Sequence, residues 1–228
     1  MALIFYERVG HVGRRPSPFS WRIRYALAHK AVDFEVRPVR FADVETIRAL
    51  SGQHRTPILS HGDRVVHETW DIACYLEEQF PDRPSLFGGA IGRGMARLIN
   101  AWSDAHLASP LRLVIYTDFP AVLDAGDRDY FRSTRERTLL EAARADPSVK
   151  LAAFQQACAP LERTLSAQPY ICGPAPAYAD YSVFSVFQWA RLGSPKEVVA
   201  PGSAIAHWRR RMILLFGNLG DRFPGYPV

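Results

Sequence analysis

No apolar run in these 228 residues approaches the ~18 needed to span a bilayer, which argues against a transmembrane helix. Residues 1–6 carry no basic stretch ahead of their apolar side chains and run at once into Glu7 and Arg8, so they do not read as a signal peptide. Cysteine is scarce: Cys74, Cys158 and Cys172 are scattered, odd in number and lack metal spacing. Free thiols in a cytoplasmic protein are the simplest expectation. The histidines at 11, 29, 54, 61, 67, 106 and 207 contain no i,i+4 pair, so no metal motif is expected. Lysine occurs only as Lys30, Lys150 and Lys196, and arginine supplies the rest of the positive charge.

Hydrophobic residues make up 48% of the chain, enough for a substantial core. The length suggests two compact domains or one large one, since domains commonly run about 100–150 residues. The formal charge of +5 invites a nucleic-acid reading. However, Arg132, Arg135 and Arg137 are interleaved with Glu136, Glu141 and Asp146, as on a solvated helix face. That pattern argues against nucleic acid, and a small anionic ligand fits the excess charge equally well.

Residues 3–6 read as a short buried strand, followed by a polar loop to Pro16 punctuated by Gly10 and Gly13. Ser17 fits a helix N-cap with Pro18 at the first helical position, where a missing N–H costs nothing. Residues 33–39 alternate like a second strand, and 41–50 suit a short helix. Two further strands, 56–60 and 64–67, flank a Gly-containing link, which is a hairpin signal. Thr69 is expected to cap a helix running to about Phe80. The order βαβαββα implies a small mixed sheet covered by helices. Pro and Gly then crowd residues 81–94, where the boundary is expected: residues 1–84 form one domain, 85–93 a linker and 94–228 an all-α bundle. Helices are expected over about 94–119, 128–145, 149–167, 178–192 and 203–217. Residues 183–190 are apolar nearly all round, which suits the centre of a bundle.

Three dipeptides carry the chemistry. The residue before Pro57 is pushed to an extended conformation. A cis Thr56-Pro57 bond would turn the N–H and C=O of Thr56 outward, ready to pair with a peptide ligand. On the residues alone the trans form is favoured, because only about 5–6% of X-Pro bonds in folded proteins are cis. Glu68-Thr69 stands at a helix N-terminus, where free N–H groups and the dipole attract carboxylates. Glu68 can accept from a ligand ammonium. A γ-glutamyl head carries both groups, although a plain N-cap beside an exposed Glu explains the pair as well. Ser17 can donate to an anion, and a thiolate is favoured at a helix N-terminus. Ser20 is the competing hydroxyl. His54 and Arg55 stand just before Thr56 and can reach a ligand's distal carboxylate, or simply form an exposed loop. Arg14-Arg15-Pro16-Ser17 stands where a redox protein would carry Cys-x-x-Cys, so disulfide exchange is not expected. Cys74 is expected to be buried.

In order and spacing these residues resemble the glutathione S-transferase family over essentially the whole chain. The family's fold would be a thioredoxin-like α/β domain followed by an all-helical domain. Thr56-Pro57 matches its cis-proline position, and Glu68-Thr69 matches the pair that holds the γ-glutamyl end. Tyr178-Ala179-Asp180-Tyr181 is similar to its helical-domain signature. A narrower resemblance is to bacterial lignin β-etherases and related fungal (FuA-type) glutathione transferases. It rests on Ser17-Pro18-Phe19-Ser20-Trp21, Arg24-Tyr25-Ala26-Leu27, residues 81–87, Asp129-Tyr130 and Val186-Phe187-Gln188-Trp189.

The resemblance implies glutathione as co-substrate, bound by Ser17, His54, Arg55, Thr56, Pro57, Glu68 and Thr69, with Ser17 facing the thiolate. It implies no metal, a hydrophobic electrophile, cleavage of an aryl ether as one reaction, and a homodimer. Tyr116, Phe119, Trp189 and Trp208 are expected to line the acceptor pocket. A carrier that binds glutathione and hydrophobic ligands without turnover is the other reading, since 12% aromatic residues suffice to line such a pocket. Two departures stand out. Ala177 occupies a position the family usually fills with a capping Ser, Thr or Asn, a loss worth about 0.5–2 kcal/mol. Asp180 can still accept from the backbone near Ala177, which preserves half of a capping box. The loop to Pro16 is long and is expected to reshape the entrance.

Overall fold

The computed structural model describes residues 2–134 and 137–228, with side chains placed outside 135–140. Arg135 and Glu136 lie outside the described residues. Arg132, Glu141 and Asp146, from the same stretch, are exposed.

The first part follows βαβαββα: β1 (Leu3–Arg8), α1 (Pro18–His29), β2 (Phe34–Val39), α2 (Val44–Ser51), β3 (Ile58–His61), β4 (Arg64–His67) and α3 (Thr69–Gln79). The strand order is β2-β1-β3-β4. β1 runs parallel to β2, pairing Leu3 with Phe34, and antiparallel to β3, pairing Phe5 with Leu59. A parallel neighbour needs a crossover, which α1 supplies. The β3–β4 hairpin closes through Gly62, at φ 60°, and Asp63. A positive φ there suits the right-handed twist of the flanking strands.

Among the described residues the named elements after α3 are helical: α4 (Ala90–Trp102), a π-helical turn (Ser103–Ala108), α5 (Ser109–Ile115), a 3₁₀ turn (Phe119–Val122), α6 (Ala125–Thr134), α7 (Arg137–Arg144), α8 (Pro147–Ala157), α9 (Ala159–Ala167), α10 (Tyr178–Gly193), α11 (Ala204–Asn218) and a last 3₁₀ turn (Leu219–Asp221). The single helix expected over 149–167 is two, meeting at Cys158. Pro160 explains the break, because its ring clashes with a carbonyl four residues back and it lacks an N–H. α11 leaves helical geometry at Leu215–Gly217, where Phe216 and Gly217 have φ 53° and 68°.

All sixteen residues of α10 are buried, as its apolar run implies. α1 packs against both α10 and α3, and one apolar cluster runs from Leu3 and Phe5 through Tyr25 and Phe184 to Trp208 and Leu219. Asp180, fully buried, accepts from the backbone N–H of Ile171 (2.8 Å), Cys172 (3.1 Å) and Ala177 (3.2 Å) and from the Trp208 indole (3.0 Å). Burial pushes its carboxyl up, against those four donors. Ala177 has no side-chain acceptor, so only the reciprocal half of a capping box survives. One lost cap is worth about 1 kcal/mol, whereas each buried donor left unpaired costs about 1–3 kcal/mol. The Asp180 network therefore outweighs the missing cap. Cys74 is half-buried rather than buried, and all three cysteines are free thiols.

Candidate active site

Ser17 is the N-cap of α1, with φ −134° and Pro18 behind it. Its Oγ accepts the Ser20 N–H at 3.4 Å and the Ser20 hydroxyl at 3.2 Å. With both donors directed at Ser17 Oγ, the Ser17 hydrogen is left to point elsewhere. Ser17 lines a cavity of about 480 Å³; Ser20 is fully buried behind it and does not.

The loop before Ser17 is pinned from several sides. Glu7, 1% exposed, pairs with Arg15 at 2.7 Å and with Arg24. The Trp21 indole donates to the Arg15 carbonyl at 2.8 Å, and Arg14 reaches the Leu192 carbonyl at 3.3 Å. Gly10 passes so close to the helical half that a Cβ would lie 2.4 Å from the Val122 carbonyl oxygen. The long loop is thus clamped between the two halves of the chain.

The Thr56-Pro57 bond is cis. Thr56 precedes the ladder, which starts at Ile58. It lines the main cavity and also a smaller one of about 70 Å³. The smaller cavity holds Pro57, Glu68 and Thr69, and shares Phe19, Arg55 and Thr56 with the larger. Of the seven sequence-selected residues, Arg55, Thr56, Pro57, Glu68 and Thr69 converge on that smaller cavity, and Ser17 and His54 line the main one. His54 and Arg55 are exposed at the rim. Gln53 braces them: its Oε1 accepts the Arg55 N–H at 2.5 Å and its Nε2 donates to the Arg55 carbonyl at 2.8 Å.

Thr69 was expected to cap α3, but Glu68 is the cap and Thr69 the first helical residue. The first helical bond, Ile72 N–H to the Glu68 carbonyl at 2.9 Å, sets that frame. Glu68 adopts φ 65° and ψ 129°, a sparsely populated region for a residue with a Cβ. The Thr69 hydroxyl oxygen accepts from Arg22 at 3.3 Å, which leaves its hydrogen for another acceptor. The Tyr178 hydroxyl, pushed up to about 12 by burial, stays protonated and donates to the Thr69 carbonyl at 3.1 Å.

Tyr116, Phe119 and Trp189 line the main cavity, as expected. Trp208 does not. It is fully buried on α11, edge-on to Phe184 and Phe187, because α11 packs against α9 and α10. The sequence reasoning missed Arg8, Phe19, Phe41, Asp104, Arg112 and Tyr130. One signal was there: Asp104, Ala108, Arg112 and Tyr116 recur every four residues, which puts them on one helical face. Among the described residues no group of three or more His, Cys, Asp or Glu is placed to hold a metal ion.

A model of the glutathione S-transferase N-terminal domain matches residues 16–79, and one of the C-terminal domain matches residues 94–209. "Glutathione S-transferase 1" of Dianthus caryophyllus is 38% identical over 74 residues, spanning 31% of this chain and 34% of that protein. "Glutathione S-transferase U22" of Arabidopsis thaliana is 25% identical over 177 residues, 76% of this chain and 70% of that one. Three solved structures share the fold. Glutathione transferase GSTFuA2 of Phanerochaete chrysosporium gives a TM-score of 0.74 at 23% identity, over 96% of this chain and 94% of that one. CsGST63524 of Ceriporiopsis subvermispora, in complex with glutathione, gives 0.79 at 18%, over 98% and 99%. The β-etherase LigF of Sphingobium sp. strain SYK-6 gives 0.70 at 19%, over 96% and 98%. With the C-terminal domain model covering half of its length, this chain belongs to the glutathione S-transferase family.

Proposed function

We propose that this chain is a glutathione transferase working on a hydrophobic, aromatic electrophile, with residues 1–84 as the glutathione-binding domain and 94–228 as the domain carrying the acceptor pocket. The observation that carries the reading is the pair of adjoining cavities with Phe19, Arg55 and Thr56 in common. The smaller offers an exposed carboxylate, Glu68, and a free hydroxyl hydrogen, Thr69, for a γ-glutamyl head. Thr56 pairs with the cysteinyl backbone, and His54 and Arg55 face the distal carboxylate. The thiol then falls near Ser17, whose hydrogen stabilises the thiolate.

The thiol proton leaves to solvent. The thiolate sulfur forms a bond to the electrophilic carbon, and the leaving group departs with the electron pair of the bond that breaks. Holding both reactants side by side supplies much of the acceleration. Tyr116, Phe119, Phe131 and Trp189 give the acceptor an aromatic wall, and an aryl ether losing aryloxide is one such acceptor. No metal takes part. The protein acts in the cytoplasm as a homodimer. Support for the dimer comes from α4, where Ile91, Met95 and Leu98 expose an apolar stripe at 87%, 54% and 59%.

Ser17→Ala tests the reading. A hydrogen bond to a charged group is worth about 1.5–3 kcal/mol, so conjugation should fall roughly 10- to 100-fold. Unchanged turnover removes Ser17 from the mechanism. Glutathione binding without conjugation of any aromatic electrophile selects the carrier instead.

A further inference from the structure

The main cavity has more positive charge than glutathione would use. Its charged lining residues are Arg8, Arg55, Asp104 and Arg112. Asp104 is already answered by the buried Arg22, through Nη2 to Oδ1 at 2.8 Å and Nη1 to Oδ2 at 3.3 Å, and by the Asn100 amide at 3.2 Å. Arg8 is held by the carbonyls of Arg40 and His54 and lies over the Phe41 ring. Arg55 stands where the two cavities meet, on the glutathione side. Arg112 is different. It sits on α5, across the helical wall, half-buried, and among the described residues its guanidinium makes one hydrogen bond, to the Ser109 hydroxyl at 3.4 Å. No carboxylate pairs with it among the described residues.

A half-desolvated guanidinium gains most from a planar anionic oxygen pair, which its fork grips with two parallel hydrogen bonds. Its surroundings decide what should carry that anion. Tyr116 and Phe131 lie tilted at 5.2 Å between ring centres, Phe131 and Phe119 at 5.5 Å, and Phe119 meets Phe41 edge-on at 5.9 Å. Such a wall takes a flat ring.

We infer that Arg112 makes the acceptor site selective for aromatic electrophiles that carry a carboxylate. The inference rests on the transferase reading and narrows its substrate class. In the simplest case, 4-chloro-3-nitrobenzoate, the thiolate sulfur bonds to the ring carbon bearing chlorine and chloride leaves with the bonding pair. The carboxylate takes no part in the chemistry and serves as a handle for Arg112.

The test is calorimetric and needs no turnover. The S-(4-carboxy-2-nitrophenyl) and S-(4-carbamoyl-2-nitrophenyl) conjugates of glutathione have nearly the same shape and differ in one charge. The wild-type protein should bind the carboxy conjugate at least tenfold more tightly. Arg112→Gln should bring that ratio toward one, and Arg112→Lys should recover part of it. The same ratio should appear in kcat/KM for 4-chloro-3-nitrobenzoate over its amide. A ratio near one in the wild type, or one that survives Arg112→Gln, overturns the proposal. So does a matching loss of affinity for glutathione itself in Arg112→Gln, which would assign the guanidinium to the tripeptide. Failure of the wild type to bind glutathione at all overturns the transferase reading beneath it, a separate result from the other three.

Discussion

Arg22 and Asp104 meet in a forked ion pair, 2.8 and 3.3 Å, that ties α1 to the π-helical turn of the other half of the chain. Arg22 is completely buried, and also donates to Asn100 Oδ1 at 2.9 Å and Thr69 Oγ1 at 3.3 Å. Asp104 is 37% exposed. The two ends of the pair therefore differ in worth. Removing Arg22 strands several buried acceptors; replacing Asp104 by its amide keeps an oxygen on the guanidinium, at an end that water reaches.

Arg22→Ala should destabilise the protein by about 3–5 kcal/mol, since it strands the oxygens of Asn100 and Thr69 and each buried acceptor left unpaired costs about 1–3 kcal/mol. Asp104→Asn should cost less, because an amide oxygen still accepts from the guanidinium and solvent reaches that end of the pair. Urea denaturation of the two variants checks the order. Equal costs would contradict the asymmetry.

Ser20 stands behind Ser17 and directs both its N–H and its hydroxyl at Ser17 Oγ. Ser20→Ala keeps the backbone cap and removes the hydroxyl. A neutral hydrogen bond is worth about 0.5–1.5 kcal/mol, so the pKa of bound glutathione should rise by roughly half as much as in Ser17→Ala. Ultraviolet absorbance of the bound thiolate against pH reads both. A larger shift for Ser20→Ala than for Ser17→Ala would mean Ser20 is the hydroxyl facing sulfur.

His29 should make stability depend on pH. Its Nε2 donates to the Ser85 carbonyl at 3.0 Å, so Nδ1 accepts from the Tyr181 hydroxyl at 2.5 Å. Both nitrogens are satisfied by the neutral ring. Burial, the largest influence, holds the pKa below the ordinary 6.5, and nearby Lys30 works the same way. The unfolded chain then binds the proton more readily than the folded one. Stability is full above the unfolded pKa and is lost as pH falls from there toward the folded value. The melting midpoint should drop between about pH 7.5 and 5.5, and drop less in His29→Gln. A steeper fall in the variant would reverse the sign and sink the assignment.

Ala177→Ser should stabilise the protein. Ala177 has extended backbone, φ −142° and ψ −167°, which suits an N-cap. A serine there supplies the missing acceptor for the Asp180 N–H, a gain of about 0.5–2 kcal/mol. For a chain of this size each kcal/mol raises the melting midpoint by about 2–4 °C. Asp180→Asn should do the opposite, by turning an amide N–H₂ toward N–H donors.

The apolar stripe of α4 should hold two copies together. Leu98→Glu and Met95→Glu would each bury a carboxylate if that face is covered. Sedimentation should then show a shift from dimer to monomer. A wild-type monomer, or a dimer that survives both charges, removes α4 from the interface.

Much of the fold was legible in the chain. Ser17-Pro18, the Gly62-Asp63 link and the apolar run of residues 183–190 act through local rules: a cap, a turn and a period. Each stands where those rules placed it. Thr69 was misplaced by one position, because the cap is set by which carbonyl accepts the first helical bond. The sequence cannot display that choice between neighbours. Helix 149–167 was read as one because apolar spacing continues across Cys158, while Pro160 quietly breaks the backbone. On the α/β side, local reading picked out Ser17 and the residues of the 54–57 and 68–69 turns but not Arg8, Phe19 or Phe41. On the opposite wall it found Tyr116, Phe119 and Trp189 and missed Asp104, Arg112 and Tyr130.

The order of residues determined the succession of strands and helices and the dipeptides that open them, since caps, turns and X-Pro geometry depend on atoms a few bonds apart. Tertiary structure alone decided that Trp208 serves the Asp180 network while Arg112 faces the cavity unpaired. Both are long side chains on helices, and the four-residue recurrence that puts Arg112 on a face with Asp104 and Tyr116 does not say what that face meets. What separates them is how α5 and α11 each pack around α10, and that is settled only when the whole core closes.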